Sequence, residues 1–286
     1  MLVGNMTSKK ILFTGGNGFI GRQVIPFIQK AGYEVIRPRS SQVRLEVDEE
    51  VATLFADGQH YDAIIHAAIV GGRRDHDDDW RVLHTNLNMF ETLYKYVDQT
   101  DMFINLDSGA SYGRPAPVEE PSPEDFGKVI PGDPYGFSKY IIANRVLDNS
   151  KGVNLRIFGC FGEHEENTRF FNTNINRYIN GDPIQLVKDR KMDFIFADDL
   201  YKIIKYYLDG NDGPRDVNCV YDRKYMLSDI AEIINHLGPH KVDIQSEGQY
   251  PIFPYTGKAN SLPIEYDGLA NGIRKVYEKY LCQRNV

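Results

Sequence analysis

The sequence predicts an α/β protein: a Rossmann-type, doubly wound parallel sheet with a smaller C-terminal lobe interleaved with it. Strand-like and helix-like segments alternate from residue 10 to residue 158, which favours a parallel sheet with helices on both faces. A glycine-rich turn, TGGNGFIG, occupies residues 14–21 directly after the first apolar run. After residue 161 the alternation loosens, which indicates the second lobe.

The individual elements follow from apolar periodicity and turn residues. Residues 10–14 form an apolar run that stops at Gly15, and apolar residues recur at helical spacing over 19–31. Further elements are predicted at 33–37, 49–57, 61–66, 80–98, 102–107, 134–148 and 153–158. The later ones are predicted at 169–181, 184–187, 193–196, 198–209, 216–220, 227–237 and 268–281. Prolines and acids between 114 and 134 predict a loop that arches over its neighbours.

The composition limits the class of protein. The 286 residues carry a net charge of −7, which argues against a nucleic-acid or anionic-membrane surface. No apolar stretch approaches about 18 residues, and residues 1–10 are too short and polar for a signal peptide. The 3 cysteines are widely spaced, which suits reduced thiols and not a disulfide framework. We therefore expect a cytoplasmic protein, and we expect it to form a homodimer.

The glycine turn predicts a dinucleotide site. Gly15, Gly18 and Gly21 permit a tight turn, close approach of the backbone to a pyrophosphate, and close packing of helix on strand. The free N–H groups where the helix begins, at Phe19 and Ile20, face the phosphates. A glycine triplet alone also occurs in simple turns, but a strand before it and a helix after it favour the dinucleotide.

A second motif predicts proton transfer beside that cofactor. Tyr135 and Lys139 are four residues apart in a predicted helix and therefore lie on one face. A phenol has a pKa near 10, which a neighbouring ammonium lowers. Ser108, at the end of strand 102–107, can hydrogen-bond the substrate oxygen. The alternative is a chance pair on a helix surface, but the three residues together predict a nicotinamide-dependent enzyme that acts on a carbonyl or an alcohol.

The residues after the second strand favour NADP(H) over NAD(H). An acid at this place would bind a ribose 2′-hydroxyl and repel a 2′-phosphate. Residues 36–41 instead read IRPRSS, and the guanidiniums of Arg37 and Arg39 can neutralise a phosphate. The alternative is a solvated basic loop.

The predicted domains follow from these sites. Residues 1–162 are expected to form the NADP-binding Rossmann domain, to which 190–220 return, and residues 163–286 mainly the substrate-binding lobe. Ligands of such sheets bind outside the carboxyl ends of the strands. Gly15, Ala67, Ser108 and Gly159 are expected at those ends.

The chain resembles the extended short-chain dehydrogenase/reductase family of sugar-nucleotide enzymes. Its marks are the glycine turn, HAA at 66–68, Ser108 four residues before Tyr112, the Tyr135/Lys139 pair, and DFIFADD at 193–199. Within the family, residues 67–72 and 37–39 are most similar to the GDP-L-fucose synthase group. Members of that group reduce a 4-keto sugar with NADPH after epimerising C3 and C5.

The resemblance implies a set of site residues. Ala67 and Ala68 are expected to border the cofactor, with Asp48 beside its adenine. The residues expected to contact substrate are Val70, Gly71, Ser108, Gly109, Ala110, Phe161 and Lys191. Lys191 lies beside Met192, where the family usually has an arginine.

The chain departs from the group where epimerisation is done. The cysteine acid/base of the group falls at Ala110, and its partner histidine falls near Arg169. Alanine cannot exchange a proton, and arginine stays protonated near neutral pH. The resemblance therefore implies NADPH-dependent reduction of the C4 ketone of a nucleotide-linked sugar, without change at C3 or C5. It leaves the nucleotide open among GDP, dTDP, UDP and CDP.

Two other functions remain open from the sequence. One is a nucleotide-sugar 4-epimerase with tightly held cofactor, which uses the same catalytic residues. The other is a non-catalytic NADP-binding regulatory protein, against which the intact Ser108, Tyr135 and Lys139 set argues.

The acidic run DHDDD at 75–79 allows two interpretations. Carboxylates and imidazole are metal ligands, but acids just before a helix also face its positive end. No second ligand cluster accompanies the run, so we expect no metal.

Overall fold

The computed structural model describes residues 9–72, 78–114, 116–246 and 253–284. Its strands are β1 (Lys10–Thr14), β2 (Glu34–Ile36), β3 (Ala63–His66), β4 (Phe103–Ser108), β5 (Gly152–Ile157), β6 (Cys160–Phe161), β7 (Ile184–Leu186), β8 (Ile195–Phe196), β9 (Asp216–Cys219) and β10 (Ile244–Ser246). Its helices are α1 (Phe19–Lys30), α2 (Asp48–Ala52), α3 (Trp80–Tyr94), α4 (Pro134–Leu147), α5 (Phe170–Asn180), α6 (Ala197–Leu208), α7 (Leu227–Asn235) and α8 (Gly268–Arg284).

The predicted fold class is confirmed. Strands run in the order β2-β1-β3-β4-β5-β9, and every neighbouring pair in this sheet is parallel. Two apolar layers cover the sheet. Ile25 of α1 and Leu200 of α6 pack on one face, while Phe90 of α3 and Ile142 of α4 pack on the other. Each such buried side chain stabilises the fold by about 1.5–3 kcal/mol.

The strand order reverses between the neighbouring strands β1 and β3. From β1 the sheet continues to β2 at one edge, and from β3 it continues through β4 and β5 to β9 at the other edge. A crevice forms at such a point, outside the carboxyl ends of the strands. The Thr14 hydroxyl and the Nδ1 atom of His66 are 2.9 Å apart and tie these two strand ends together. The glycine turn follows β1 at this crevice.

The second lobe packs around aromatic side chains. Phe161 stacks on Phe171 with ring centroids 4.1 Å apart, and Phe196 lies 5.4 Å from Phe161. The short pairs β6–β8 and β7–β10 and the helices α5, α7 and α8 surround this cluster. In the sequence, α6 and β9 lie between elements of this lobe. In the structure, α6 packs on the main sheet and β9 forms an edge strand of that sheet.

Several predicted bounds differ from the structure. The helix predicted at 49–57 ends at Ala52 and continues as a 3₁₀ turn, Thr53–Gly58, in which Asp57 has a φ of +56°. The helix predicted at 80–98 ends at Tyr94. β6 and β10 were not predicted; each pairs with one short strand outside the main sheet. None of the described helices is long and apolar enough to cross a bilayer.

Candidate active site

The glycine turn lies against the loop that follows β3. Gly15 has a φ of +68°, and a Cβ atom there would lie 2.6 Å from the carbonyl carbon of Ala67. Only glycine fits both conditions. The Gly18 N–H donates to the Gly15 carbonyl at 2.9 Å, and α1 then begins at Phe19.

The start of α1 fits a pyrophosphate. No side chain in the described part of the protein caps its N-terminus, and its first turn contains no acid. The first N–H groups of the helix are therefore left for a ligand, and the helix dipole favours an anion there. This arrangement suits the dinucleotide that the sequence predicts.

The basic loop after β2 lies beside the turn. A Cβ atom on Gly16 would lie 2.9 Å from the Cβ atom of Arg37, so this residue borders the turn directly. Arg37 and Arg39 are both exposed, and neither forms an ion pair with any described residue. Arg44, in the same loop, is already paired with Glu50. Arg37 and Arg39 thus remain available to a 2′-phosphate.

Other predicted cofactor residues also surround the crevice. The Ala67 N–H donates to the Thr14 carbonyl at 3.2 Å, which holds Ala67 and Ala68 beside the turn. Asp48 begins α2, where its carboxylate pairs with Lys95. Contact between Asp48 and adenine stays a prediction.

The start of α4 places Tyr135. The Asp133 carboxylate caps the helix by accepting from the Gly136 N–H at 2.9 Å. Asn86, from α3, donates to the Ser138 hydroxyl and to the Val70 carbonyl, each at 3.1 Å, and accepts from the Val70 N–H at 2.9 Å. A single buried amide therefore fixes α4 relative to the loop after β3.

That loop covers one side of the Tyr135 ring. Gly72 has a φ of +77°, and a Cβ atom there would lie 2.5 Å from Cε2 of Tyr135. Glycine lets the backbone lie directly on the phenol ring. Val70 and Gly71, two predicted substrate residues, belong to the same loop.

The structure brings Ser108, Tyr135 and Lys139 together between β4 and α4. Lys139 is 3% exposed, and its Nζ donates to the Leu106 carbonyl at 2.6 Å. Burial lowers the pKa of Lys139 to about 8, which the nearby Asp107 carboxylate partly opposes. Burial also raises the pKa of the Tyr135 phenol, which the neighbouring Ser108 hydroxyl partly opposes.

The cation that faces Tyr135 is Arg114. Its guanidinium carbon lies 5.3 Å from the centre of the Tyr135 ring, and its charge lowers the phenol pKa against the effect of burial. Asp133 holds Arg114 through an Nε to Oδ2 hydrogen bond of 3.1 Å. The sequence assigned this effect to Lys139, whose ammonium donates to the Leu106 carbonyl. The role of Lys139 in lowering the phenol pKa stays a prediction.

Tyr255 is a second tyrosine at this site, and no pattern in the sequence predicted it. Its hydroxyl lies 3.4 Å from the Ser108 hydroxyl, and the side chain is buried. The backbone of Tyr255 bridges to Val118 and Met192. These long-range pairs carry a C-terminal segment back to the end of β4.

Arg190 brings a further cation close to Tyr255. The guanidinium is partly buried, which lowers its pKa, and the Tyr255 hydroxyl opposes this. Its Nη2 donates to the Met192 sulfur at 3.6 Å, and no carboxylate of the described residues pairs with it. Such a guanidinium suits an anionic ligand. The neighbouring side chain of Lys191, a predicted substrate residue, is exposed.

The other predicted substrate residues lie deeper. Gly109 and Ala110 belong to the 3₁₀ turn Gly109–Tyr112 and are buried. The Phe161 side chain is fully buried in the aromatic cluster of the second lobe. Contact between Phe161 and a substrate stays a prediction. Arg169 is the N-cap residue of α5, and its guanidinium lies 3.8 Å from Glu166.

Two sequence interpretations are settled by local contacts. His66 is buried, and its pKa is lowered to about 3 by burial and by the Lys139 charge, so it is a neutral, packed residue. Asp79 caps α3 by accepting from the Arg81 N–H at 2.8 Å. This confirms that an acid of the run at 75–79 faces the start of the helix. Residues 75–77 lie outside the described residues.

With this geometry established, comparison with known proteins defines the family. Residues 11–219 match the NAD dependent epimerase/dehydratase family. The chain belongs to this family. It is therefore an oxidoreductase-type enzyme of a group that includes NAD(P)-dependent sugar-nucleotide epimerases and reductases, and the resemblance found in the sequence is confirmed.

Individual relatives include both kinds of enzyme. A protein of Methanocaldococcus jannaschii named "Putative UDP-glucose 4-epimerase" is 25% identical, over 93% of this chain and 96% of its own. GDP-L-fucose synthase of Azorhizobium caulinodans is 32% identical, over 41% of this chain and 38% of its own. The solved structure of a GDP-mannoheptose C4 reductase of Campylobacter jejuni with NADP bound has a TM-score of 0.78 at 15% identity, over 97% and 100% of the two chains. This structural likeness shows the fold.

Proposed function

We propose that this protein reduces the C4 ketone of a nucleotide-linked 4-keto sugar with NADPH, without changing C3 or C5. One observation carries the proposal. The buried Ser108, where β4 ends, hydrogen-bonds the half-buried Tyr135 side chain of α4, while the neighbouring Ala110 offers only a methyl group. The site thus has a proton donor for a carbonyl oxygen and lacks an acid/base where the related epimerising enzymes have one.

The proton moves from Tyr135 to the substrate oxygen, while the Ser108 hydroxyl holds that oxygen in place. When bound, NADPH supplies the hydride. Burial raises the pKa of the Tyr135 phenol. The phenol is therefore protonated at neutral pH, which is the form that donates a proton in reduction. Arg114, over the ring, then stabilises the negative charge left on the phenol oxygen.

The cations around the site suit a nucleotide sugar. Its diphosphate needs charge-assisted donors, and the Arg190 guanidinium has no carboxylate partner among the described residues. Tyr255 lies between Arg190 and Ser108 and can hydrogen-bond a sugar hydroxyl. Arg37 and Arg39 favour NADPH for the reason given above.

A 4-epimerase is the second candidate, and the archaeal relative favours it, because that protein matches over nearly its whole length under the name of such an enzyme. An epimerase returns its cofactor to the starting state in each turnover. A ketoreductase consumes one NADPH for each product. Stoichiometry therefore separates the two, and a non-catalytic protein would do neither.

The test is a panel of GDP-, dTDP-, UDP- and CDP-linked 4-keto sugars with NADPH in D₂O. We expect one member to be reduced with stoichiometric loss of NADPH absorbance, and NMR to show no deuterium at C3 or C5 beyond an enzyme-free control. Deuterium incorporation at the rate of turnover would contradict the proposal and require another acid/base pair. Interconversion of UDP-sugar 4-epimers without net NADPH loss would establish the epimerase instead.

A further inference from the structure

The segment that carries Tyr255, residues 254–258, runs between two other stretches of extended backbone, 118–121 and 191–193. Toward residues 118–121, its backbone hydrogen bonds continue as far as Lys258. Toward residues 191–193, the backbone hydrogen bonds among the described residues end at Tyr255. Beyond Tyr255, this side of the segment is therefore held by side chains.

A buried ion pair holds the segment where those backbone bonds end. Nζ of Lys224 lies 2.8 Å from Oδ2 of Asp193, and the two side chains are only 10% and 4% exposed. The Gly257 N–H donates to this same Oδ2 at 2.9 Å, and the Gly257 carbonyl accepts from Nζ of Lys224 at 2.5 Å. Both polar backbone groups of Gly257 are thus bound by a charged side chain of the matching sign. We call this arrangement of Asp193, Lys224 and Gly257 the clamp.

Gly257 and the turn that follows Ser108 lie against the same aromatic ring. A Cβ atom on Gly257 would lie 2.5 Å from Cζ of Phe158, and a Cβ atom on Gly109 would lie 2.5 Å from Cδ1 of that ring. The Phe158 ring is buried, and its centre lies 5.2 Å from that of the Tyr255 ring. The contact of Gly257 with Phe158 therefore limits how closely the segment approaches Ser108.

We propose that Asp193 and Lys224 are positioning residues that keep the Tyr255 hydroxyl in the active site. Their clamp holds Gly257 against Phe158, and this maintains the distance of 3.4 Å between the Tyr255 and Ser108 hydroxyls. The two charged residues act through the backbone of the segment. Their effect on turnover rests on the proposed function, but the position of Tyr255 can be measured without any substrate.

The first experiment places 3-fluorotyrosine at position 255 of the full-length protein and records its ¹⁹F resonance. Burial raises the pKa of Asp193 to about 6, which the Lys224 charge opposes, so the carboxylate is ionised at about pH 7.5, where the spectra are recorded. Lys224→Met removes the donor to the Gly257 carbonyl and should shift or broaden the resonance. An unmoved resonance would overturn the proposal.

Lys202→Met is the matched control. Nζ of Lys202 also binds an acid and a backbone carbonyl near the C-terminus, with Asp199 at 2.9 Å and the Glu265 carbonyl at 3.0 Å. These partners lie in α6 and just before α8, so the control variant should leave the Tyr255 resonance unchanged. An equal change in Lys202→Met and Lys224→Met would contradict the proposal, because it would reflect general destabilisation.

A double variant covers the case in which Lys224→Met folds poorly. That single variant leaves the Asp193 carboxylate buried without its cation, which is strongly destabilising. Asp193→Asn/Lys224→Met removes both charges together and should show the same change in the Tyr255 resonance. A resonance at its original position in the double variant would refute the clamp.

Kinetics test whether the clamp acts through Tyr255. If the protein is a reductase, Lys224→Met and Tyr255→Phe should each lower kcat by about tenfold, the scale of one hydrogen bond, with NADPH affinity retained. The combined variant should lose no more than Tyr255→Phe alone, because both changes remove the same interaction. Losses that multiply would refute the positioning role. A changed resonance in Lys224→Met without turnover of any 4-keto sugar would refute the proposed function and leave the positioning of Tyr255 intact.

Discussion

Replacing Arg37 and Arg39 tests the choice of cofactor. Both guanidiniums are exposed and free of acidic partners among the described residues, and Arg37 borders Gly16 of the turn. We expect the double variant Arg37→Ala/Arg39→Ala to bind NADPH more weakly and NADH almost unchanged, because NADH lacks the 2′-phosphate.

The magnitude follows from the exposure of the two residues. A hydrogen bond to a charged group contributes about 1.5–3 kcal/mol, and water screening at an exposed site places each contact at the lower end. About 1.5 kcal/mol corresponds to roughly tenfold in affinity. The single variants should therefore lose about tenfold in NADPH affinity, and the double variant about a hundredfold.

Isothermal titration with each cofactor provides the assay. Arg44→Ala is the matched control, since Arg44 belongs to the same loop but is already paired with Glu50. It should leave both affinities within about twofold. Equal affinity of the unmodified protein for NADPH and NADH, or equal losses for both cofactors in the double variant, would refute the reasoning.

Three further predictions concern the site and its surroundings. Tyr135→Phe should lower turnover by about 10² to 10⁴ with NADPH affinity retained, while Tyr140→Phe, in the same helix, should not; similar rates in both would mean that the proton comes from elsewhere. Gly72→Ala should lower turnover, because its Cβ would displace the Tyr135 ring, whereas Gly181→Ala has the same φ strain but open space around it; equal activity of the two variants would argue against the displacement. Burial raises the pKa of Glu165 from 4.5 to about 8, so the folded state binds this proton more tightly than the unfolded state does. The free energy of unfolding should therefore fall as the pH rises from about 4.5 through about 8. The loss is at most about 5 kcal/mol, at about 1.36 kcal/mol per pH unit. Urea unfolding at pH 5 and pH 9 should show this loss in the parent and in Glu166→Gln but not in Glu165→Gln, and parallel curves for all three would contradict it.

Local signals in the sequence predicted the centre of the site. The strand, turn and helix around Gly15 have short-range patterns, and Ser108 and the Tyr135/Lys139 pair lie at element ends that periodicity locates. The parallel sheet brings these ends together whatever the details of the loops. This is why the fold class and the three catalytic candidates could be named without a structure.

The rest of the site depends on tertiary contacts that leave no local pattern. Tyr255 reaches Ser108 through single backbone bridges to Val118 and Met192, which no periodicity reveals. The orientation of Lys139 is set by a carbonyl on another element, so its spacing from Tyr135 alone could not show it. The burial of Phe161 depends on a tertiary contact of the same kind, because its ring stacks on Phe171 of α5.

The position of Tyr255 has a consequence for the order in which the protein becomes competent during synthesis. The main sheet is complete in sequence once β9 ends at Cys219, so a growing chain can form it while the last part is still in the ribosome. The hydroxyl that stands 3.4 Å from Ser108 is added 147 residues after it. A nascent or prematurely ended chain that stops before Tyr255 would retain the glycine turn, Ser108, Tyr135 and Lys139 but would lack this wall of the site. Such a fragment would bind the cofactor but would lack one wall of the site around the reacting oxygen. During synthesis, each molecule would therefore be able to bind the dinucleotide before it becomes catalytically active.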